Sequence, residues 1–394
     1  MRSARPRRSG GMASRSTSHG RRRVAWRNAT RAKDVRGART RCRGTDVRAR
    51  SAPQRRWFSV VIPTYNRLPI LRKCLCALEE QEFCARADES DHVAGYEVVV
   101  VDDGSTDGTV EYLRANAHDY PHLRLVEAKH GGAASARNRG VLDARGDVVV
   151  FIDSDLVVEP DFLRAHARGL ATAVQEGGDD LAFTYGRVIN TDNFEDPTTE
   201  PFKTTDRSAA FFATGNVAIP KHLLLNTPVL AQSKTADEGA VDPAHGPFDT
   251  DFTEYGWEDL ELGERLRTKG VRIQHCPEAV GYHWHPALRP EDVPKLVEQE
   301  RQRGRGGARF YLKHPNWRVR LMVQLTPFHM ALWFLLTLGG ALNERVLGWM
   351  VRKLCDKGRP RAAAFLLSPI LNWHCVVAAH QELRLLRDAA TVHS

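Results

Sequence analysis

The feature that most limits the fold of this chain is a β-branched run that ends at once in acids, and it occurs twice. Residues 148–152 read Val-Val-Val-Phe-Ile and run into Asp153 and Asp155, while the four valines 98–101 run into Asp102 and Asp103. Such runs suit strands buried on both faces of a sheet. Around them the pattern alternates. Residues 58–63 predict a strand ended by Pro63, 68–81 a helix, 108–116 a helix after a Gly/Asp/Ser/Thr turn, 123–128 a third strand, and 132–144 a further helix. Strands alternating with helices imply a mostly parallel, Rossmann-like α/β sheet flanked by helices. Ligands of such sheets bind beyond the carboxyl ends of the strands.

Two acids at one strand exit repel each other unless something cationic lies between them, so each exit is either a metal site or an ordinary polar turn. Two acidic exits in one βαβαβ half converge on one edge and favour a ligand crevice. A nucleotide with a divalent cation would satisfy them, because hard oxygen ligands suit Mg2+ or Mn2+ bridging phosphates to carboxylates.

The formal charge of +9 is unevenly spread. Residues 1–56 hold eighteen arginines and Lys33 against Asp34 and Asp46, and the remainder carries 38 bases and 46 acids. An acidic body gives no case for nucleic-acid binding. The leader is rich in Arg and Ser and lacks apolar periodicity, so it is expected to be disordered. It has the composition of an organelle transit peptide, with a plastid as the expected destination and a mitochondrion or a secretory-pathway membrane as alternatives. Seven cysteines without a CxxC pair are expected to be free thiols, not a disulfide or zinc framework.

A second cluster follows a polar loop at 190–208 and a surface insertion at 226–246. Residues 254–270, "EYGWEDLELGERLRTKG", carry helix signals, with acids in the first turn, bases in the last and Gly270 as a stop. Leu262, Gly263 and Leu266 share a face, and Asp259 falls on it; Glu261 and Arg265 are expected to form a solvent-facing pair. Asp259, near Trp257, is then a candidate general base for a hydroxyl, with Glu258 as the competitor. The plain alternative is an acid that complements the helix dipole. Downstream, His283 and His285 are two apart in an extended segment and point to one side, where one of them could join Asp155 in a metal shell.

Together, "VVIPTYNR", "VVVDDGSTDGT", "GGAASARNRG", "FIDSDL", "ATGNVAIPK" and "YGWEDLELGERL" resemble an inverting family 2 glycosyltransferase of GT-A fold over about residues 58–288. The last block also resembles the C-terminal catalytic motif of galactosyl- and N-acetylgalactosaminyltransferases. The resemblance implies that Pro63, Thr64 and Tyr65 line the nucleotide pocket, that Asp103, with Asp102, binds the uracil end of a UDP-sugar, and that Arg137 lies near the nucleotide. It implies that Asp153 faces the ribose and Asp155 holds Mn2+ or Mg2+, that Gly215, Asn216 and Trp257 border the acceptor, and that Asp259 deprotonates the acceptor hydroxyl. The acceptor class, whether glycan, lipid or protein, is left open, and the long 226–246 stretch departs from the family pattern. Two other readings compete: a silent sugar-nucleotide or membrane scaffold, and a sugar-phosphate nucleotidyltransferase. The latter would call for a Gly-rich phosphate loop where this chain has "PTYNR".

The expected organisation is a leader at 1–56, a catalytic domain at 57–290 and a helical C-terminal extension at 291–394. Residues 321–343 carry no formal charge, but Gln324, Pro327 and His329 interrupt them; 362–379 is broken by Ser368-Pro369 and Asn372, and bases lie between. Packing on the catalytic domain or peripheral contact with a membrane surface is expected in preference to a span.

Overall fold

The computed structural model describes residues 55–82, 92–199, 210–229, 246–254 and 256–392. The leader up to residue 54 and most of the 226–246 insertion lie outside the described residues. Residues 56–284 contain strands β1 (Arg56–Thr64), β2 (Val93–Asp102), β3 (Leu123–Glu127), β4 (Val148–Ile152), β5 (Leu156–Val158), β6 (Ala182–Thr191), β7 (Asn216–Pro220) and β8 (Arg272–Trp284). The helices of this stretch are α1 (Leu68–Glu79), α2 (Thr109–Ala115), α3 (Gly132–Asp143), α4 (Phe162–Gly177), α5 (Lys221–Leu225) and α6 (Glu258–Thr268). There follow α7 (Val293–Lys313), α8 (Trp317–Met322), α9 (Pro327–Leu336), α10 (Glu344–Asp356) and α11 (Pro360–Val392).

The strands form one sheet in the order β3-β2-β1-β4-β7-β6-β8-β5 among the described residues. β3, β2, β1 and β4 are parallel, as the alternating pattern implied, whereas β7 runs against β4 and β6, and β5 against β8. Pro63 does not end β1. It pairs opposite Val101 within the strand, at a point where the β4 pairing has already stopped at Val61 and Phe151, so no ladder donor is missed on that side.

Period-two alternation sends Phe58, Val60 and Ile62 to one face, under Leu71, Leu75 and Phe162, and Val61, Val99 and Phe151 to the other, under Ala136, Leu262 and Leu266. On this second face α3 lies close to β1, since a Cβ on Gly140 would stand 2.3 Å from Val61 Cγ1. That close approach holds Arg137, one turn earlier in α3, near the strand exits.

Helix α6 corrects its sequence reading. Glu261 and Arg265 are an ion pair at 2.7 Å, but they are buried, and Arg265 also donates to the Thr227 and Pro247 carbonyls. His314, just beyond α7, meets Glu261 Oε1 at 2.8 Å. The wheel assumed one buried face, whereas α7 and the 227 and 247 segments cover α6 on its charged side as well.

The C-terminal helices pack on this body through a cluster of Phe252, Trp257, Phe310, Val319, Val323, Leu325 and Ala379. α7 and α11 touch at backbone distance, where a Cβ on Gly304 would lie 2.2 Å from the Cys375 carbonyl oxygen. Gly304→Ala is therefore expected to lower stability by about 1–3 kcal/mol, because overpacking against a backbone atom cannot relax through a rotamer. Chemical denaturation of the variant checks this. By length and composition, Trp317–Leu336 and Pro360–Thr391 are apolar enough to cross a membrane. α11 nevertheless buries Leu367, Ile370, Cys375 and Val376 against its neighbours. The described cysteines are free, as expected.

Candidate active site

β4 carries Asp153 and Asp155 to its exit, and β5 then turns back onto β8 with Leu156 opposite His283. The Trp284 N–H donates to the Asp155 carbonyl at 2.9 Å and clamps that corner. His283 Nε2 consequently lies 3.0 Å from Asp155 Oδ1. One ligand atom each from Asp153, Asp155 and His283 falls within 4.8 Å of the others. His285 packs its ring against that of His283, 4.1 Å between centroids, and stays outside this group.

Burial raises the Asp155 carboxyl, but the His283 hydrogen bond and charge, with the Arg67 guanidinium, outweigh it and hold it below the ordinary carboxylate range. Burial lowers His283, and Asp155 more than reverses this, so the imidazole is raised. Burial and the neighbouring His283 lower His285.

The two acids do not face each other unneutralised. Buried Arg137 donates from Nη2 to Asp153 Oδ1 at 3.1 Å and from Nη1 to Glu258 Oε1 at 2.8 Å. Arg67, at the start of α1, pairs with Asp155 Oδ2. The chain thus supplies cations of its own beside the exit acids. The donor set still fits a bound ion: two carboxylates suit Mn2+ or Mg2+, and the imidazole favours Mn2+ over the more strictly oxygen-seeking Mg2+. Thr64 Oγ1, Asp102 Oδ1, Arg137 Nε and Glu258 Oε2 are buried and have no hydrogen-bond partner among the described residues. Buried polar groups are rarely left this way, and a polar ligand is one means of satisfying them.

Around the β1 and β2 exits, Tyr65 is exposed and its ring centroid lies 4.5 Å from that of His130. Asp103 accepts the Gly131 and Gly132 N–H groups at 2.8 and 2.9 Å, and Asp102 Oδ2 accepts those of Gly104 and Ser105. Both acids are buried and order the loops that border the pocket.

Trp257 opens α6 from a left-handed conformation, φ 83°. It is 5% exposed, and its indole N–H donates to the Arg303 carbonyl at 2.6 Å. The ring anchors α7, a role that its expected place beside the acceptor did not include. Asn216 likewise has a structural role. Its amide donates to the Arg187 and Ala279 carbonyls and its Oδ1 meets His166 Nε2 at 2.9 Å, all inside the core. That orientation makes His166 a donor from Nε2, and its Nδ1 lies 2.7 Å from Thr184 Oγ1. Burial, against the Asn216 bond, pushes His166 down to about 4 and keeps it neutral.

Asp259 keeps an exposed edge while its carboxyl accepts the Leu260 N–H at 2.8 Å and the Thr214 N–H at 3.3 Å. Burial first, then the adjacent Glu258 charge, pushes it up to about 7, against the pull of Arg137. Glu258 is engaged by Arg137, so Asp259 is the candidate base without a guanidinium bond. The next residue after Thr214 closes the circle: a Cβ on Gly215 would stand 3.5 Å from Asp153 Oδ2. Of these two consecutive residues, one bonds the helix acid and the other lies beside the strand-exit acid.

Sequence reasoning gave no role to Arg67, His130 or Thr214. Arg67 was visible at the end of "PTYNR", but its contact depends on the left-handed Asn66, φ 53°, that turns the chain into α1.

Residues 59–232 match the glycosyl transferase family 2 model. A validoxylamine A glucosyltransferase of Streptomyces hygroscopicus subsp. jinggangensis is 30% identical over 297 residues, covering 66% of this chain and 61% of that protein. An uncharacterized glycosyltransferase of Escherichia coli is 39% identical over 103 residues, 26% of this chain and 27% of that one. The chain spans between 26% and 40% of the length of the first three curated relatives it matches. Among solved structures, a mannosyltransferase of Pyrobaculum calidifontis superimposes with a TM-score of 0.51 at 21% identity, over 84% of this chain and 89% of that one. Residues 59–232 thus form a glycosyl transferase family 2 domain, in a chain with the GT-A fold extended by C-terminal helices.

Proposed function

We propose that the protein transfers a sugar from a nucleotide donor, UDP in the first instance, to an acceptor hydroxyl by inverting displacement. The observation that supports this most is the Thr214–Gly215 step, which bonds Asp259 on the acceptor side through the Thr214 N–H and passes beside Asp153 on the donor side at Gly215. In this scheme Asp155, Asp153 and His283 hold a divalent cation, which supplies positive charge to the departing diphosphate. Pro63, Thr64, Tyr65, Asp102 and Asp103 shape the nucleotide pocket, and Thr64 Oγ1 and Asp102 Oδ1 offer it unpaired polar atoms. Arg137 holds Asp153 and Glu258 in register across the site. Asp259 takes the acceptor proton while the acceptor oxygen bonds to the anomeric carbon and the bond from that carbon to the phosphate oxygen breaks. Peripheral contact of the C-terminal helices with a membrane belongs to the same proposal.

A base whose acid form persists up to about 7 imposes a pH dependence. Asp259 must be ionised to accept a proton, so kcat/KM is expected to rise with pH through about 7 and level above it. A rate profile flat from pH 5 to pH 8 would remove Asp259 from the proton transfer.

Nucleoside diphosphate release, measured with Mn2+ or Mg2+ across a panel of UDP-sugars, tests the donor. GDP-mannose belongs in the panel because the P. calidifontis mannosyltransferase is described in complex with GDP-Man and Mn2+. Metal-dependent release from one donor supports transfer and identifies the sugar. Failure to bind any nucleotide sugar would sink the proposal.

A further inference from the structure

The C-terminal helices leave one face that the catalytic scheme does not use. α9 has ten residues, none charged and none buried. Phe328 and Leu335 are each 69% exposed, and Phe334, Leu336 and Leu338 are exposed beside them. On α10 the exposed side carries Val346 and Trp349, with Lys353 one turn further on and over the Trp349 ring. Trp317 on α8 and Phe365 at the start of α11 are exposed as well.

The polar groups of this region are turned inward and paired. Trp333 Nε1 donates to Gln324 Oε1 at 2.6 Å, and Gln324 donates to Asn372 Oδ1 at 3.1 Å. Thr337 Oγ1 donates to the Trp333 carbonyl, and Thr326 and Asn343 cap α9 and α10. Backbone and side-chain polar groups near α9 can therefore leave water without losing partners.

Charge identifies what covers the face. Residues 317–365 contain eight bases and only two acids, Glu344 and Asp356, in a body that is otherwise net acidic. Glu344 is held by His374 at 3.1 Å. Arg345, Arg352, Lys353, Lys357, Arg359 and Arg361 are all exposed, and of these Arg361 lies 3.9 Å from Asp192. A second copy of the chain would bring like charges together there, whereas anionic headgroups would neutralise them. At ten residues α9 is about 15 Å long, half of a hydrocarbon core of about 30 Å, so it lies in the interface instead of crossing it.

We propose that α8, α9 and α10 form a docking surface for an anionic phospholipid bilayer, with Phe328, Phe334 and Leu335 entering the acyl boundary and the α10 bases on the headgroups. This deepens the peripheral contact proposed above by naming the surface and the lipid charge. Through Val319, Val323 and Leu325 the docked face shares one apolar cluster with Trp257, the residue that opens the helix bearing Asp259.

The full chain is floated with vesicles of phosphatidylcholine alone and of phosphatidylcholine with phosphatidylglycerol, at low and high salt. Phe334→Ser/Leu335→Ser and Arg352→Glu/Lys353→Glu are compared with wild type, each confirmed folded by its thermal melt. Anionic vesicles are expected to bind wild type at least about tenfold more tightly than neutral ones, and each double variant to lose about tenfold or more. The basic leader also adheres to anionic lipid, so a second readout is needed. Quenching of tryptophan fluorescence by brominated lipid is expected to fall in Trp349→Phe, and this difference reports Trp349 because Trp26 of the leader is present in both proteins. Unchanged quenching and unchanged affinity in the double variants would overturn the proposal. So would a wild-type dimer that both variants dissociate, which would assign the face to a second copy. Nucleotide-sugar binding on the same preparations separates the two proposals: its loss with vesicle binding kept fails the transfer scheme and leaves docking standing.

Discussion

Asp259→Asn is expected to reduce transfer by about 10²–10⁴-fold, the usual contribution of a positioned general base, while leaving nucleotide-sugar binding in place. The carboxylate is held by the Leu260 and Thr214 N–H groups and lies next to Glu258, so its neutral replacement removes a proton acceptor and a like-charge repulsion together. The same substitution has an opposite effect on stability. An acid raised in the folded state binds its proton there at pH values where the unfolded chain has released it. Its contribution therefore favours the native state at low pH and is lost progressively as pH rises from about 4 to about 7. Asp259→Asn should consequently be at least as stable as wild type above pH 7, and denaturation at pH 5 and pH 8 checks the sign. Loss of activity with greater stability at pH 8 is the outcome that a merely structural acid would not produce. Unchanged transfer would move the base role elsewhere, with Glu258 next to be tested.

Asp155→Ala is expected to lose metal-dependent nucleotide binding and to lower turnover by about 10²–10³-fold, on the scale of removing one electrostatic stabiliser of a leaving group. Direct titration with Mn2+ reads the loss without activity. His283 offers a third readout. Its imidazole is raised because Asp155 accepts its hydrogen bond and faces it with negative charge, so Asp155→Ala should let its pKa fall, visible by NMR titration. Arg67 bears on the same carboxylate, so binding of a cation through Asp155 Oδ2 competes with that guanidinium. Mn2+ affinity equal to wild type in Asp155→Ala would reject the proposed metal shell.

The structure divides the site into parts that residue order showed and parts that it hid. Acids at strand exits were visible because a buried strand announces itself by β-branched residues, and the residues just beyond it must sit at the ligand edge. The α6 acids were visible as a group, but their ranking was not. The wheel turned Asp259 inward and left Glu261 at the surface, whereas Glu261 lies deep beneath His314 and Arg265. Asn216 and Trp257 show the same limit. Both stand in motifs that mark the acceptor region, yet one is bound by core carbonyls and the other anchors a helix nearly fifty residues further along.

By itself the sequence determined the order of strands, turns and helices, the acidic exits and the separation of a basic leader from an acidic body. These follow from local periodicity and charge, which act over a few residues. Only the tertiary structure decided that β5 folds back to set His283 on Asp155, that Arg137 reaches Glu258 across 121 residues while holding Asp153, and that two adjacent loop residues lie beside both acids. Such contacts depend on strand register and on close helix packing at Gly140 and Gly304, and register is set by pairing across the whole sheet, which no short stretch of chain encodes.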